Sequence, residues 1–152
     1  MLEEPKLSTK KIITCLQDSY NLLVSHITFH SLGNDPNSWV YEVDTSNKKY
    51  FLKVKKEKIY APSLEVPRFL KDQGIGEVLA PVKNKEQKLW VCVEEFYLIL
   101  YLFVEGATGR EIGMTQGQWV RFGSVLRKVH SSKLPPELLQ KIRKENFIPR
   151  CA

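Results

Sequence analysis

Short β-rich runs fill most of residues 27–103, and past residue 109 the apolar positions recur at helical spacing instead. A chain with that single late change of period folds as a sheet followed by helices, an α+β arrangement, and not as a doubly wound parallel sheet. The runs at 27–32 and 39–44 flank Gly33-Asn34-Asp35-Pro36-Asn37-Ser38, whose composition is that of a turn or loop. Thr45-Ser46-Asn47-Lys48 then reverses the chain into a third run at 49–55. Three consecutive antiparallel strands are the expectation.

Before them, Ile12, Ile13, Leu16 and Tyr20 follow a serine at helical spacing, so residues 8–20 read as an amphipathic helix. A second helix is expected at 63–73, carrying Leu64, Phe69 and Leu70, with Gly74 as its terminator. Pro67 counts against it unless the proline falls in the first turn. Strands are then expected at 78–83 and 89–94, joined by Asn84-Lys85-Glu86-Gln87, and a last one at 97–103. Thr115-Gln116-Gly117-Gln118 is a capping-box signature, and Trp119, Phe122, Leu126 and Val129 continue it as a helix ending near Ser132. Leu134-Pro135-Pro136 breaks the chain ahead of a further helix at 137–144.

With 43% apolar residues in 152, the chain can bury a core, so a disordered state is excluded as the main one. The net charge of +6 suits a nucleotide phosphate, a nucleic acid or an acidic partner, and does not choose among them. No basic and aromatic platform of a known nucleic-acid module stands out. Cys15, Cys92 and Cys151 lack metal-ligand spacing, and the start Met1-Leu2-Glu3-Glu4-Pro5 is unlike a signal peptide, so a cytoplasmic setting is expected. The most apolar run, residues 96–104, has about half the length needed to cross a bilayer and reads as a buried strand.

The order of elements, with a lysine in the third strand, resembles the small lobe of the protein-kinase-like fold. Five segments are similar in particular to the aminoglycoside phosphotransferase family, and to its spectinomycin-directed members. They are Gly33-Asn34-Asp35-Pro36-Asn37, Tyr50-Phe51-Leu52-Lys53-Val54-Lys55, Val66-Pro67-Arg68-Phe69-Leu70-Lys71-Asp72-Gln73-Gly74-Ile75, Tyr101-Leu102-Phe103-Val104-Glu105-Gly106 and Val125-Leu126-Arg127-Lys128-Val129-His130. The resemblance implies an antiparallel five- to six-stranded sheet with one helix packed on it, followed by the first helices of a second lobe. It divides the chain into a nucleotide-binding lobe with its N-terminal helix, residues 1–104, and a hinge with the start of a helical lobe, residues 105–152.

The same resemblance implies an ATP-dependent alcohol phosphotransferase and assigns roles to individual residues. Lys53 would meet the α- and β-phosphates of ATP. Strand alternation puts it on one face with Lys55, and a plain solvated strand face is the alternative, because lysines abound nearby. A carboxylate from the next helix would position that lysine: Glu65 is the obvious one and Glu57 the other. Gly33, Asn34 and Asn37 would let a loop approach the phosphates, although their segment is not a G-x-G-x-x-G loop and also fits an ordinary hairpin connection. Tyr101, Leu102, Phe103 and Val104 would form the adenine-binding hinge. His130, ending a periodic helix with no nucleophile or acidic neighbour, reads as structural, as do His26 and His30.

Phosphoryl transfer in this superfamily draws an acceptor aspartate, a metal-binding asparagine and a further aspartate from the second lobe. No aspartate follows Asp72, and none of Glu105, Glu111, Glu137 and Glu145 lies in an H-x-D-x-x-x-x-N setting. No catalytic residue and no ligand for Mg²⁺ is therefore identifiable, and the expectation is a truncated kinase that holds nucleotide but does not turn over alone. The aminocyclitol or aminoglycoside substrate would belong to the complete enzyme, a metabolite kinase of the same fold being the other option. Trp119, Phe122 and Leu126 would lack covering partners, which favours self-association into a homo-oligomer or capture of another protein.

Overall fold

The computed structural model describes residues 3–31 and 35–145. The chain order is α1 (Thr9–Tyr20), β1 (Val24–His30), β2 (Ser38–Thr45), β3 (Lys49–Lys55), α2 (Pro62–Asp72), β4 (Val91–Val93), β5 (Phe96–Leu102), α3 (Gly109–Ile112), α4 (Gln116–Ser131) and α5 (Pro136–Leu139). All five strands join one antiparallel sheet in the order β1-β2-β3-β5-β4, so the chain adopts the expected α+β class. β3 lies at its centre, held on one side by β2 and on the other by β5.

Alternation along β3 sorts its side chains between two environments. Leu52 and Val54 are fully buried and join Tyr41, Val43, Leu98 and Leu100 beneath Ile12 and Leu16 of α1. The apolar stripe of α1 thus covers one face of the sheet, and Asn21, in the left-handed region at φ 56°, ends the helix. On the other face Leu64 of α2 packs with Ile99 and Leu89, flanked by Ile59, Trp90 and Tyr101.

α2 passes through Pro67, its sixth residue, well beyond the first turn. A proline there removes one backbone hydrogen bond, yet the helix persists because Leu64 and Leu70 are anchored in buried positions on either side of it. Gly74 follows at φ 88°, the left-handed terminator the sequence calls for.

The expected strand at 78–83 does not form. Only Pro81 bridges to Tyr101, with the Val82 amide donating to the Leu100 carbonyl at 2.7 Å. Proline has no N–H to extend a ladder, and Asn84 turns the chain at once, its side-chain oxygen accepting from the amides of Glu86 and Lys88. The neighbouring strand shortens to Val91–Val93 because Leu89 is committed to the α2 cluster.

The capping box of α4 forms as expected: the Thr115 hydroxyl accepts from the Gln118 amide, and the Gln118 side chain accepts from the Thr115 amide. α3 was not anticipated, although Thr108 and Glu111 carry the same signature and the Glu111 carboxylate accepts from the Thr108 amide at 2.8 Å. The last helix is only Pro136–Leu139, where a longer one over 137–144 was expected. Its end tightens through the Lys141 and Ile142 amides, which reach back three residues. Tyr60 then holds the following segment, donating to the Lys141 carbonyl and accepting from the Arg143 amide. No helix among the described residues is long and apolar enough to cross a membrane.

Candidate nucleotide site

The face of the sheet opposite α1 carries Lys53, the lysine singled out from the sequence. Lys53 stands in register with Val40 on β2 and Ile99 on β5, so the central strand fixes its position from both sides. Around it lies a cavity of about 400 Å³ whose lining includes Lys53, Lys55, Glu57, Lys58, Tyr60 and Tyr101. Ile59, Leu64 and Ile99 supply its apolar wall. A cavity lined by both apolar side chains and ammonium groups suits a ligand with a flat apolar part and an anionic part.

Lys53 has no ion-pair or hydrogen-bond partner among the described residues. Of the two carboxylates considered for it, Glu57 lines the same cavity, and its Oε1 accepts from the Asn37 side-chain amide at 2.8 Å. Asn37 in turn donates its backbone N–H to Asp35 Oδ1 at 3.0 Å, an Asx-type turn. This chain of contacts ties the loop between β1 and β2 to the segment between β3 and α2. Gly33 and Asn34, expected in that loop, lie outside the described residues.

Glu65 sits elsewhere. Its carboxylate accepts from Lys141 Nζ at 2.9 and 3.0 Å, and it lines a different, larger cavity of about 940 Å³ between the end of α1, α2 and residues 83–92. That larger cavity mixes Asp18, Asp72 and Glu86 with Arg68, Lys83, Lys85 and Lys88, and three of these cations are paired: Arg68 and Lys83 with Asp72, Lys88 with Glu86. Size alone therefore does not select the anion site. Lys53 is set apart by its place on the central strand of the sheet.

The segment expected as a hinge divides. Tyr101 faces Lys53's side, with its ring edge-on to Phe51 at 6.1 Å, and burial pushes its phenol up from the ordinary tyrosine value. Leu102 and Phe103 line a separate cavity of about 540 Å³ against the β2–β3 turn. The Phe103 amide donates to the Lys49 carbonyl at 3.1 Å, and Lys49 Nζ stands 5.8 Å from the Phe103 ring centre. Val104 is largely exposed.

Sequence reasoning passed over Lys58, Tyr60 and Ile99 as site residues. Ile99 and Tyr101 lie two apart on β5, and the pairing of Ile99 with Lys53 puts them on the lysine's side; no local pattern could give that pairing. His130 is exposed at the end of α4, and His30 stands 3.4 Å from Glu42. Among the described residues no group of three His, Cys, Asp or Glu side chains could hold a metal ion.

No family model and no curated protein matches the chain. Solved structures do. A spectinomycin phosphotransferase, APH(9)-Ia, in complex with ADP and spectinomycin superposes with a TM-score of 0.84 at 30% identity, over 93% of this chain and 43% of that one. The chain is similar, over most of its length, to the N-terminal portion of an aminoglycoside phosphotransferase. The AMP-bound complex of the same enzyme gives a TM-score of 0.78 at 29% identity, over 91% of this chain and 42% of that one. The chain thus spans less than half the length of the phosphotransferase structures it matches.

Proposed function

We propose that this chain is the nucleotide-binding portion of an ATP-dependent small-molecule O-phosphotransferase of the aminoglycoside phosphotransferase type. The observation carrying the proposal is a lysine on the central strand of a kinase-like sheet, without a partner among the described residues and facing a cavity that it shares with Tyr101. Residues 1–104 form the nucleotide-binding lobe, and residues 105–152 lead into a helical one. ATP lies with its base against Tyr101 and the apolar wall and its phosphates toward Lys53, with Leu102, Phe103 and Val104 carrying the chain away from the base. Binding of ADP and of AMP by the matched phosphotransferase supports a nucleotide as the ligand. An aminocyclitol alcohol is the acceptor in a complete enzyme, and antibiotic resistance its consequence.

The 152 residues do not catalyse transfer alone, because no aspartate beyond Asp72 is there to take the acceptor's proton. Calorimetric titration with ADP tests the binding. Wild-type protein is expected to bind, and Lys53→Met to bind at least about tenfold more weakly, the loss of one charge-assisted contact; equal affinities would remove the proposal's basis. Incubation with ATP, Mg²⁺ and spectinomycin is expected to give no phosphorylated product, and turnover would overturn the assignment of inactivity.

A second reading rests on α4. Trp119, Val120, Phe122 and Leu126 are 57, 66, 48 and 40% exposed, an apolar surface of the kind that drives association. Self-association through this face predicts a mass above that of one chain by light scattering, and a clean monomer at high concentration would exclude it.

A further inference from the structure

The cavity around Lys53 holds more positive charge than one phosphate contact requires. Lys53, Lys55 and Lys58 all line it, against Glu57 as its one carboxylate, and Glu57 is already engaged by the Asn37 amide. Lys53 and Lys58 have no partner among the described residues, and Lys55 reaches Asp35 only at 4.0 Å. Several lysines outside the cavity are closely matched, Lys49 with Glu42 at 2.6 Å, Lys56 with Glu95 at 3.1 Å, Lys83 with Asp72 at 3.2 Å and Lys141 with Glu65 at 2.9 Å. Unpaired ammonium groups gathered in a concave, partly apolar site repel one another until an anion enters, and such a site focuses the field on that anion.

Placement along the chain makes the three complementary. Lys53 and Lys55 lie two apart on one face of β3, roughly 7 Å between Cα atoms at strand rise. Lys58 follows on the irregular segment between β3 and α2, where nothing in the ladder fixes it. A row of cations of that length matches a chain of linked phosphates better than a single phosphate.

We propose that Lys55 and Lys58 are further phosphate-binding residues, and that with Lys53 they make this a site for a linear polyphosphate group, engaged along its length. The inference deepens the nucleotide reading and rests on the same cavity, but it concerns the phosphate chain and not the base. Lys53 meets the phosphates nearest the nucleoside, and Lys55 and Lys58 take those toward the open side.

Titration with inorganic tripolyphosphate tests this without involving adenine, and parallel titration with ATP separates the two readings. Wild-type protein is expected to bind tripolyphosphate. The double variant Lys55→Gln/Lys58→Gln is expected to lose about tenfold or more in affinity for both ligands, more at low salt than at high, as unscreened charge interactions do. Lys56→Gln removes an equal charge outside the cavity and is expected to stay within about twofold of wild type, since salt-screened charges outside a site act weakly on it. Circular dichroism confirms that each variant is folded. No binding of tripolyphosphate by wild-type protein, or a double variant no weaker than Lys56→Gln, would overturn the inference. ATP binding no tighter than tripolyphosphate, with the double variant still impaired, would sink the adenine assignment and leave the polyphosphate site standing.

Discussion

Leu52 and Lys53 are adjacent on β3 yet belong to opposite faces of the sheet, so their substitutions are expected to separate stability from binding completely. Leu52 is 0% exposed and packed in the cluster beneath α1, paired across the sheet with Tyr41 and Leu100. Truncation to alanine removes buried methyl groups and leaves a cavity that a central strand, pinned by two neighbours, has little freedom to close. The cost is about 3 kcal/mol within the usual range for buried leucine. For a chain of this length each kcal/mol lowers Tm by roughly 2–4 °C, which gives a fall of roughly 6–12 °C. At a temperature where Leu52→Ala is fully folded its ADP affinity is expected within about twofold of wild type, because the missing atoms lie across the sheet from the cavity and ordinary β alternation isolates them. Lys53→Met keeps the unbranched stem, removes only a charge with no partner among the described residues, and is expected to shift stability by no more than about 0.5 kcal/mol while weakening ADP binding. Thermal melts and calorimetry on the same samples decide it. If Leu52→Ala loses affinity as severely as Lys53→Met while folded, or Lys53→Met is the less stable of the two, the assignment of faces is wrong.

The Lys141–Glu65 pair joins α2 to the segment after α5, with side chains 53% and 28% exposed. A double-mutant cycle with Lys141→Met and Glu65→Gln is expected to return a coupling of at most about 1 kcal/mol, as exposed pairs do, and a coupling several times larger would show that this contact organises the fold. The Asp72 carboxyl is held below its ordinary value, first by the hydrogen bond from Arg68 and then by Lys83. A carboxylate with a depressed folded-state value stabilises the protein above its unfolded value, and that contribution disappears as pH falls through the lower folded one. Asp72→Asn is therefore expected to flatten the acid limb of a stability profile below about pH 4, and an unchanged limb would refute the pairing. Cys15 is buried, with burial raising its thiol, whereas Cys92 is exposed. In a Cys151→Ser background a thiol reagent is expected to modify Cys92 rapidly and Cys15 only on unfolding, and two fast thiols would contradict the packing of α1.

Much of the sheet was legible because its signals are local. The alternation at Lys49–Lys55 and the turn residues before it define β3 and its reversal from β2, and they already separate Lys53 from Leu52 and Val54. Proline made two segments harder. Pro81 ends a ladder that the apolar pattern at 78–83 invites, whereas Pro67 is tolerated inside α2 because buried leucines flank it. At Pro67 tertiary packing outweighs the local preference, whereas at Pro81 the missing N–H prevails over the apolar pattern.

The site was less legible than the strand that carries it. Lys53 and Tyr101 share a cavity through the β3–β5 pairing, which joins residues nearly fifty apart in sequence. Glu65 was the obvious carboxylate on the new helix, yet in the structure it lines the other cavity and pairs with Lys141, while Glu57, ahead of the helix, shares the cavity with Lys53. Which side of α2 faces the lysine depends on how Leu64 seats against Ile99 and Leu89, a contact that no helical pattern encodes. Lys58 and Tyr60 lie in an irregular segment, where periodicity offers no guide.

Photolabelling with 8-azidoadenosine triphosphate, mapped by peptide mass spectrometry, tests the nucleotide site most directly, since the reactive group sits on the base and two cavities compete for it. Label is expected on the peptide carrying Ile99 and Tyr101, abolished by excess ADP and sharply reduced in Lys53→Met. Label concentrated instead on residues 83–92, around the larger cavity, and unaffected by Lys53→Met would contradict the placement of the nucleotide beside the central strand.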